Sequence, residues 1–351
     1  MNTLKHFLLF SLFLLLSDNV FAAHIVGGGI TYECMGPNPN GIRYRFTMKV
    51  YRDCGSGGAP FDNPANIAIY RGNYQNNTLF TNFSVAINNI VPITISEPDC
   101  IENLPFFCLQ EATYIWERTL PASIESYFIV YQRCCRTNAI SNILFPEDTG
   151  ATYYVEITPA AQPVCNNSPV FNNFPPVVIC NNYPLEVDYS ATDSDGDQLV
   201  YSFCAPLAGG GPLQGGGVGS CDGVIPSPPC GPPFDEVNFI TPTYSAGQPM
   251  AGDPVISIDP QTGVISGTPQ VNGQFVVGVC VEEYRNGQLL SVTRRDFQFN
   301  VTPCAPLATA LVEYDELLGP KRYAIKDCSG NTTVTIENQS VPVANITNFE
   351  W

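Results

Sequence analysis

The amino-acid sequence predicts an all-β protein made of tandem β-sandwich domains and rich in disulfides. Three features lead there. Apolar and polar residues alternate over short runs, 29 glycines and 31 prolines are spread between those runs, and 14 cysteines follow an export-type leader. Alternation with a period of two marks a half-buried strand, whereas glycine and proline break helices and bound short strands. Many short strands with no helix-period segment between them imply a sandwich or a barrel.

Residues 1–22 read as a signal peptide. Lys5 precedes an apolar run over 7–16, and Val20-Phe21-Ala22 gives the small-x-small end that signal peptidase accepts. The mature chain is therefore expected to begin near Ala23. The apolar run is far shorter than the roughly 20 residues of a spanning helix, and no later segment is long and apolar enough to cross a membrane.

Residues 23–163 are expected to form the first sandwich. In the run 42–51, Tyr44, Phe46, Met48 and Val50 share one face, while Arg43, Arg45, Thr47 and Lys49 share the other. Similar runs occupy 66–70, 112–118, 127–133 and 152–157. Three motifs here suggest enzymes and lack their partners. Ile25-Val26-Gly27-Gly28 copies a trypsin-like mature start, but the only histidine beyond the leader is His24 and no Gly-Asp-Ser-Gly-Gly follows, so a triad has no base. Asp148-Thr149-Gly150 copies one aspartic-protease half-site without the second carboxylate that this chemistry needs. Cys134-Cys135 has neither a Cys-x-x-Cys spacing nor a basic activator. A strand start, a turn and two structural bridges account for the three.

Residues 164–303 are expected to form a second sandwich. Asn286-Gly287 lies between alternating runs at 275–284 and 288–301, a strong signal for a two-residue hairpin. Phe297, Phe299 and Val301 share a face of the second run. The stretch 206–233 is rich in glycine and proline and too long for an ordinary connection, so it reads as an inserted loop stapled by Cys221 and Cys230. Asp193, Asp195 and Asp197 alternate around Gly196. Three carboxylates so close repel one another unless water or a cation screens them, and Ca²⁺ takes six to eight oxygens from such loops. The expected ligands are these three aspartates, with Glu186, Asp188 or Asp259 as helpers; the competing reading is a solvated Asp-Gly turn.

The cysteines fall into three even groups: Cys34, Cys54, Cys100, Cys108, Cys134 and Cys135; Cys165, Cys180, Cys204, Cys221, Cys230 and Cys280; Cys304 and Cys328. Each group is expected to close its own bridges, with the connectivity left open. Cys134 and Cys135 end a strand-like run whose neighbouring side chains leave on opposite faces, so they are expected to bond to two different partners. The net charge of −17 argues against nucleic acid, which needs lysine and arginine to neutralise phosphates.

Taken together, His24-Ile-Val-Gly-Gly-Gly-Ile-Thr-Tyr32, Val50-Tyr-Arg-Asp-Cys54, Tyr131-Gln-Arg-Cys-Cys135, Pro169-Val-Phe-Asn-Asn-Phe-Pro-Pro176, Ala191-Thr-Asp-Ser-Asp-Gly-Asp197 and Val277-Gly-Val-Cys-Val-Glu-Glu-Tyr284 resemble the amino-terminal region of large Bacteroidetes surface proteins. Those proteins carry PKD repeats and often a gliding-motility-associated or type IX secretion sorting domain. The second module also resembles cadherin-like and Ig-like repeats, whose acidic loops often hold Ca²⁺. Val334-Thr-Ile-Glu-Asn-Gln-Ser340 and Ile346-Thr-Asn-Phe-Glu-Trp351 look like the first half of a PKD domain, so 304–351 is expected to be the start of a domain truncated at Trp351, continued by further domains in the parent protein.

The resemblance and the missing chemistry imply a non-catalytic, secreted or cell-surface module with a structural or adhesive role, which Ca²⁺ at the acidic loop would stiffen, and whose surface ligand is a glycan or a protein. An alternative is a carbohydrate-binding module using Tyr70, Tyr74, Phe107, Trp116 or Tyr153. A secreted hydrolase would need a carboxylate pair such as Asp193 with Asp259 or Glu282 with Glu283, and the last two point to opposite faces of a strand.

Overall fold

A computed structural model describes residues 25–55, 59–93, 101–102, 108–211, 221, 223–306, 316–319 and 322–324. The leader, Cys100, Phe107, Cys328 and most of 304–351 lie outside the described residues.

The first half supplies β1 (Ile25–Asn38), β2 (Gly41–Asp53), β3 (Ala65–Gly72), β4 (Asn77–Val85), β5 (Asn89–Ile93), β6 (Ile101–Glu102), β7 (Leu109–Leu120), β8 (Ser126–Arg133) and β9 (Ala151–Ile157). The second supplies β10 (Val170–Phe171), β11 (Val178–Cys180), β12 (Leu185–Asp188), β13 (Ala191–Thr192), β14 (Gln198–Cys204), β15 (Ser257–Ile258), β16 (Val264–Gly267), β17 (Gly273–Arg285) and β18 (Gln288–Thr302). The short β19 (Ala305–Pro306), β20 (Glu316–Gly319) and β21 (Arg322–Ala324) follow. Among the described residues a single 3-10 turn at Pro146–Asp148 is the only helical piece. The chain is all-β and disulfide-rich, as its punctuation predicts.

The alternation of the run 42–51 becomes β2. Tyr44, Phe46, Met48 and Val50 are no more than 2 % exposed, and they meet Tyr114 and Trp116 of β7, Ile67 and Ile69 of β3 and Tyr127, Ile129 and Tyr131 of β8 in one core. The sheet runs β4-β3-β8-β9-β18-β1-β2-β7-β5 and curls so that its two arms enclose this core. Such aromatic packing suits a sandwich, because each ring removes a large apolar area from water.

Asn286 and Gly287 form the expected hairpin. Both have positive φ, 52° and 79°, as a two-residue turn between twisted strands requires, and Arg285 pairs with Gln288 across it. β17 and β18 then run antiparallel from Gly273↔Val301 to the turn. A second core forms where Val277, Val279, Phe299 and Val301 meet Val187 and Ile265 of the small sheet β12-β16-β15.

β18 joins the two halves. One edge pairs with β17; the other takes β9 at Thr293, β1 at Asp296 and Phe297, and β11 at Asn300 to Thr302. The boundary expected at 163/164 is therefore crossed by strand pairing. The Ile-Val-Gly-Gly start is the beginning of β1, where Gly27 lies so close to the Asp296 carbonyl of β18, and Gly28 to the Tyr153 ring, that a Cβ at either position would overlap them.

The bridges correct two expectations. Cys34–Cys165 and Cys180–Cys304 each link two of the sequence groups, so the groups do not close on themselves. Long-range hydrogen bonding causes this: the Tyr32 and Cys34 N–H groups of β1 donate to Ser168 and Asn167 side chains, and β11 lies parallel to the end of β18. Cys134 and Cys135 bond to each other and not to two partners. The strand ends at Arg133, so opposite-face alternation no longer governs them; their peptide is cis and their Cα atoms are 3.1 Å apart. Cys54–Cys108 and Cys204–Cys280 tie adjacent strands, and Cys221–Cys230 staples the long loop as expected.

The described parts of the loop 206–233 lie against the outer face of the first sheet. The Tyr70 hydroxyl donates to the Pro229 carbonyl, Asn77 to Pro232, and Cys230 N–H to Gln132. With Leu207 and Phe234 packed on Phe128, Val130 and Tyr154, all eight residues of β8 are buried. Burial on both faces strands polar groups, and Arg136, 1 % exposed, gathers several: it donates to the carbonyls of Gly150 and Leu207 and pairs with Asp296 of β18 at 2.5 Å. Removing one partner of a buried pair leaves the other charge unpaired. Arg136→Ala is therefore expected to lose about 3–5 kcal/mol of unfolding free energy. Urea unfolding would check this; a loss under about 1 kcal/mol, the scale of an exposed pair, would contradict the clamp.

Candidate functional site

The acidic turn connects β13 to β14. Gly196 takes φ +82°, and the Asp197 N–H donates to Asp193 Oδ2 at 2.6 Å, closing the loop locally. Tight turns favour Asp and Gly for these reasons: a carboxylate accepts a nearby backbone N–H, and glycine has no Cβ to clash at positive φ. Antiparallel pairing of β14 with β17 places Leu199 opposite Glu283, which carries Glu283 to the turn. One carboxylate oxygen each from Asp193, Asp195, Asp197 and Glu283 lies within 4.8 Å of the others.

The fourth carboxylate is one that the spacing of the aspartates does not reveal. Glu186, Asp188 and Asp259, the expected helpers, are exposed and lie outside the cluster. Asp188 accepts from Asn173 and from Ser190 N–H, and Asp259 accepts the amides of Gln261 and Thr262 at 2.8 Å each. Glu283 did leave a trace in the sequence: it falls on the face of β17 that holds Phe275, Val277, Val279 and Val281, where an acid is out of character. Glu282 turns the other way and accepts the Tyr284 hydroxyl at 2.7 Å.

A cation already stands in the cluster. Arg285 grips Asp197 with two hydrogen bonds, Nε to Oδ1 at 2.7 Å and Nη2 to Oδ2 at 2.6 Å, and Nη2 lies 3.5 Å from Asp195. That fork holds the Asp197 carboxyl below its usual range. Asp195 takes the Asn167 N–H and side-chain amide at 2.8 Å each. Glu283 is fully buried and its Oε2 accepts from Asn166 and Ser291. Burial pushes the Glu283 carboxyl up to about 8. Two buried oxygens, Asp193 Oδ1 and Glu283 Oε1, have no hydrogen-bond partner among the described residues. Four carboxylates and one guanidinium leave an excess of negative charge, which a proton on Glu283 or a hard cation on the two free oxygens would reduce.

Of the aromatics expected for sugar stacking, Trp116, Tyr153 and Tyr74 pack or bond within the fold, and Phe107 lies outside the described residues. Trp116 stacks on Phe46 at 5.5 Å, Tyr153 is 3 % exposed, and the Tyr74 hydroxyl accepts the Phe234 N–H. Asp148-Thr149-Gly150 closes the 3-10 turn, with Thr149 N–H on the Pro146 carbonyl.

Because the folded chain raises the affinity of Glu283 for its proton above the ordinary value of 4.5, the stabilisation is complete below about 4.5 and is lost as pH rises through about 8. In chelator, the wild-type unfolding free energy is expected to fall between about pH 5 and 8, and Glu283→Gln is expected to remove most of that slope. Denaturant titrations at several pH values would check it; parallel slopes for the two proteins would refute it. Comparison with protein-family models, with curated proteins and with solved structures finds no match to this chain.

Proposed function

We propose that the chain is a non-catalytic structural or adhesive module, exported by residues 1–22 and secreted or displayed at the cell surface as part of a longer bacterial protein. The observation that carries this reading is the use made of its reactive-looking groups. Asp62, Asp197 and Asp296 are gripped by Arg133, Arg285 and Arg136, and each bridge ties strands or loops together. Bonded cysteines suit an oxidising, extracellular setting, and the described residues hold no helix long and apolar enough to cross a membrane. The resemblance to Bacteroidetes surface proteins adds the PKD continuation after 304 and, for the parent protein only, the type IX export route. Beads coated with residues 23–351 are expected to be retained on surfaces bearing the natural ligand, to lose retention once the chain is reduced and unfolded, and to turn over no glycoside or peptide. Turnover abolished by Glu283→Gln would overturn the reading.

A calcium role at the acidic turn is favoured by one observation, the two buried oxygens of Asp193 and Glu283 that have no partner among the described residues. An ion there would join the turn to β17 and replace the proton on Glu283. Calorimetric titration with CaCl₂ is expected to give binding heat that Asp193→Asn weakens by about tenfold or more, since each carboxylate contributes to affinity. Equal heats from both proteins would remove the site.

A further inference from the structure

A cavity of about 290 Å³ opens on the outer face of β1 and β2, under the strand-and-turn segment 170–174. Its wall includes Thr31, Thr47, Lys49, Phe171, Phe174 and Arg295. It does not include the acidic turn, and it borders the two large cores at Ile30 and Phe171.

Arg295 is the unusual member. It is 7 % exposed, and its guanidinium lies 5.3 to 5.9 Å from the rings of Phe171, Tyr189, Tyr51 and Phe174. Its hydrogen bond among the described residues is from Nη1 to the Asn173 carbonyl at 2.8 Å. No carboxylate pairs with it there: its neighbour Asp296 pairs with Arg136, and Glu111, also on the wall, is held by Lys49 at 3.2 Å and by the Thr113 hydroxyl at 3.0 Å. Aromatic faces attract a guanidinium but do not neutralise it, and a buried charge normally has an ionic partner. The fork of donors on arginine matches a carboxylate in two hydrogen bonds.

We propose that this cavity binds a carboxylated sugar of the hexuronic-acid type, with the carboxylate on Arg295, an apolar ring face against Phe171 or Phe174, and ring hydroxyls on Thr31 and Thr47. The size is near the lower end of ligand pockets, about 300 Å³, which suits one or two rings. The wall offers both donors and acceptors, as a polyol uses, and a plain aliphatic acid would leave them without partners. The segment over the cavity is fixed in place: Asn172 N–H donates to the Ser190 carbonyl, the Thr192 hydroxyl to Asn172, and the Asn173 amide to Asp188.

The inference rests on the adhesive reading for its purpose and supplies that reading with a ligand class. Calorimetry would compare a galacturonic acid trisaccharide, a neutral galactose trisaccharide and a tripeptide with a free terminal carboxylate. The acidic sugar is expected to bind about tenfold or more tightly than either of the others. Arg295→Gln is expected to abolish that preference. Because Arg295 is buried and its replacement can unfold the chain, Thr47→Tyr serves as the second variant: it keeps Arg295, fills the cavity from a half-buried strand position, and is expected to weaken the acidic sugar by about tenfold without lowering the melting temperature. Equal binding of the neutral sugar, equal or tighter binding of the peptide, no heat from any of the three, or an unchanged affinity in Thr47→Tyr would each overturn the proposal. Beads still retained on a surface while the acidic sugar gives no heat would overturn the cavity alone and leave the adhesive reading standing.

Discussion

The fold depends on the sharing of β18. One edge of this strand is filled by β17, while the other is divided among β9, β1 and β11. Leu290 near its start belongs to the first core, and Phe299 and Val301 near its end belong to the second. A strand covered on both faces has no solvent side for its polar residues. Ser291, Thr293, Arg295, Asp296, Gln298 and Asn300 are accordingly buried, and several are matched one by one: Asp296 by Arg136, Asn300 by the Val177 carbonyl, Ser291 by Glu283. The halves are thus joined by hydrogen bonds that water cannot easily replace, as a linker between independent sandwiches would not be.

What was legible in the sequence is what depends on near neighbours. Period-two alternation marks β2, β7, β9, β17 and β18 because successive side chains of a pleated strand leave on opposite faces and only one face enters a given apolar core. Asn286-Gly287 marks its own hairpin because few residues accept positive φ twice in succession. The pairing of β1 with β18 had no such mark: Gly27 and Phe297 are far apart in the chain, and nothing in either segment names the other. The cysteine bridges failed for the same reason, since Cys34 and Cys165 meet only after the sheet has closed. The burial of Phe128 and Val130 was hidden too, because it depends on the returning loop and not on their own strand.

The acidic turn shows the same division. Its three aspartates are visible at once, and their closeness signals a need for positive charge. The guanidinium that responds, that of Arg285, is supplied by β17 from 88 positions beyond Asp197, and the same strand brings a further carboxylate, Glu283, to the cluster. A sequence reader sees the demand and not the supply. The expected helpers Asp188 and Asp259 accept amides in turns of their own, a common use of an exposed aspartate between strands.

Cys34–Cys165 and Cys180–Cys304 close loops of 131 and 124 residues, one after the other. For a force drawn between residue 25 and residue 304, the covalent path runs along β1 to Cys34, jumps to Cys165, follows the chain to Cys180 and jumps again to Cys304. Only about 25 residues bear the load, so at roughly 3.3–3.6 Å each, with the two bridges adding Cα–Cα spans of 5.4 and 5.3 Å, the tether cannot lengthen beyond about 100 Å even if every hydrogen bond gives way. Both cores hang from that path as slack loops. A protein so wired behaves under traction as a short strap, and it would stay short under pulls that unravel an uncrosslinked sandwich.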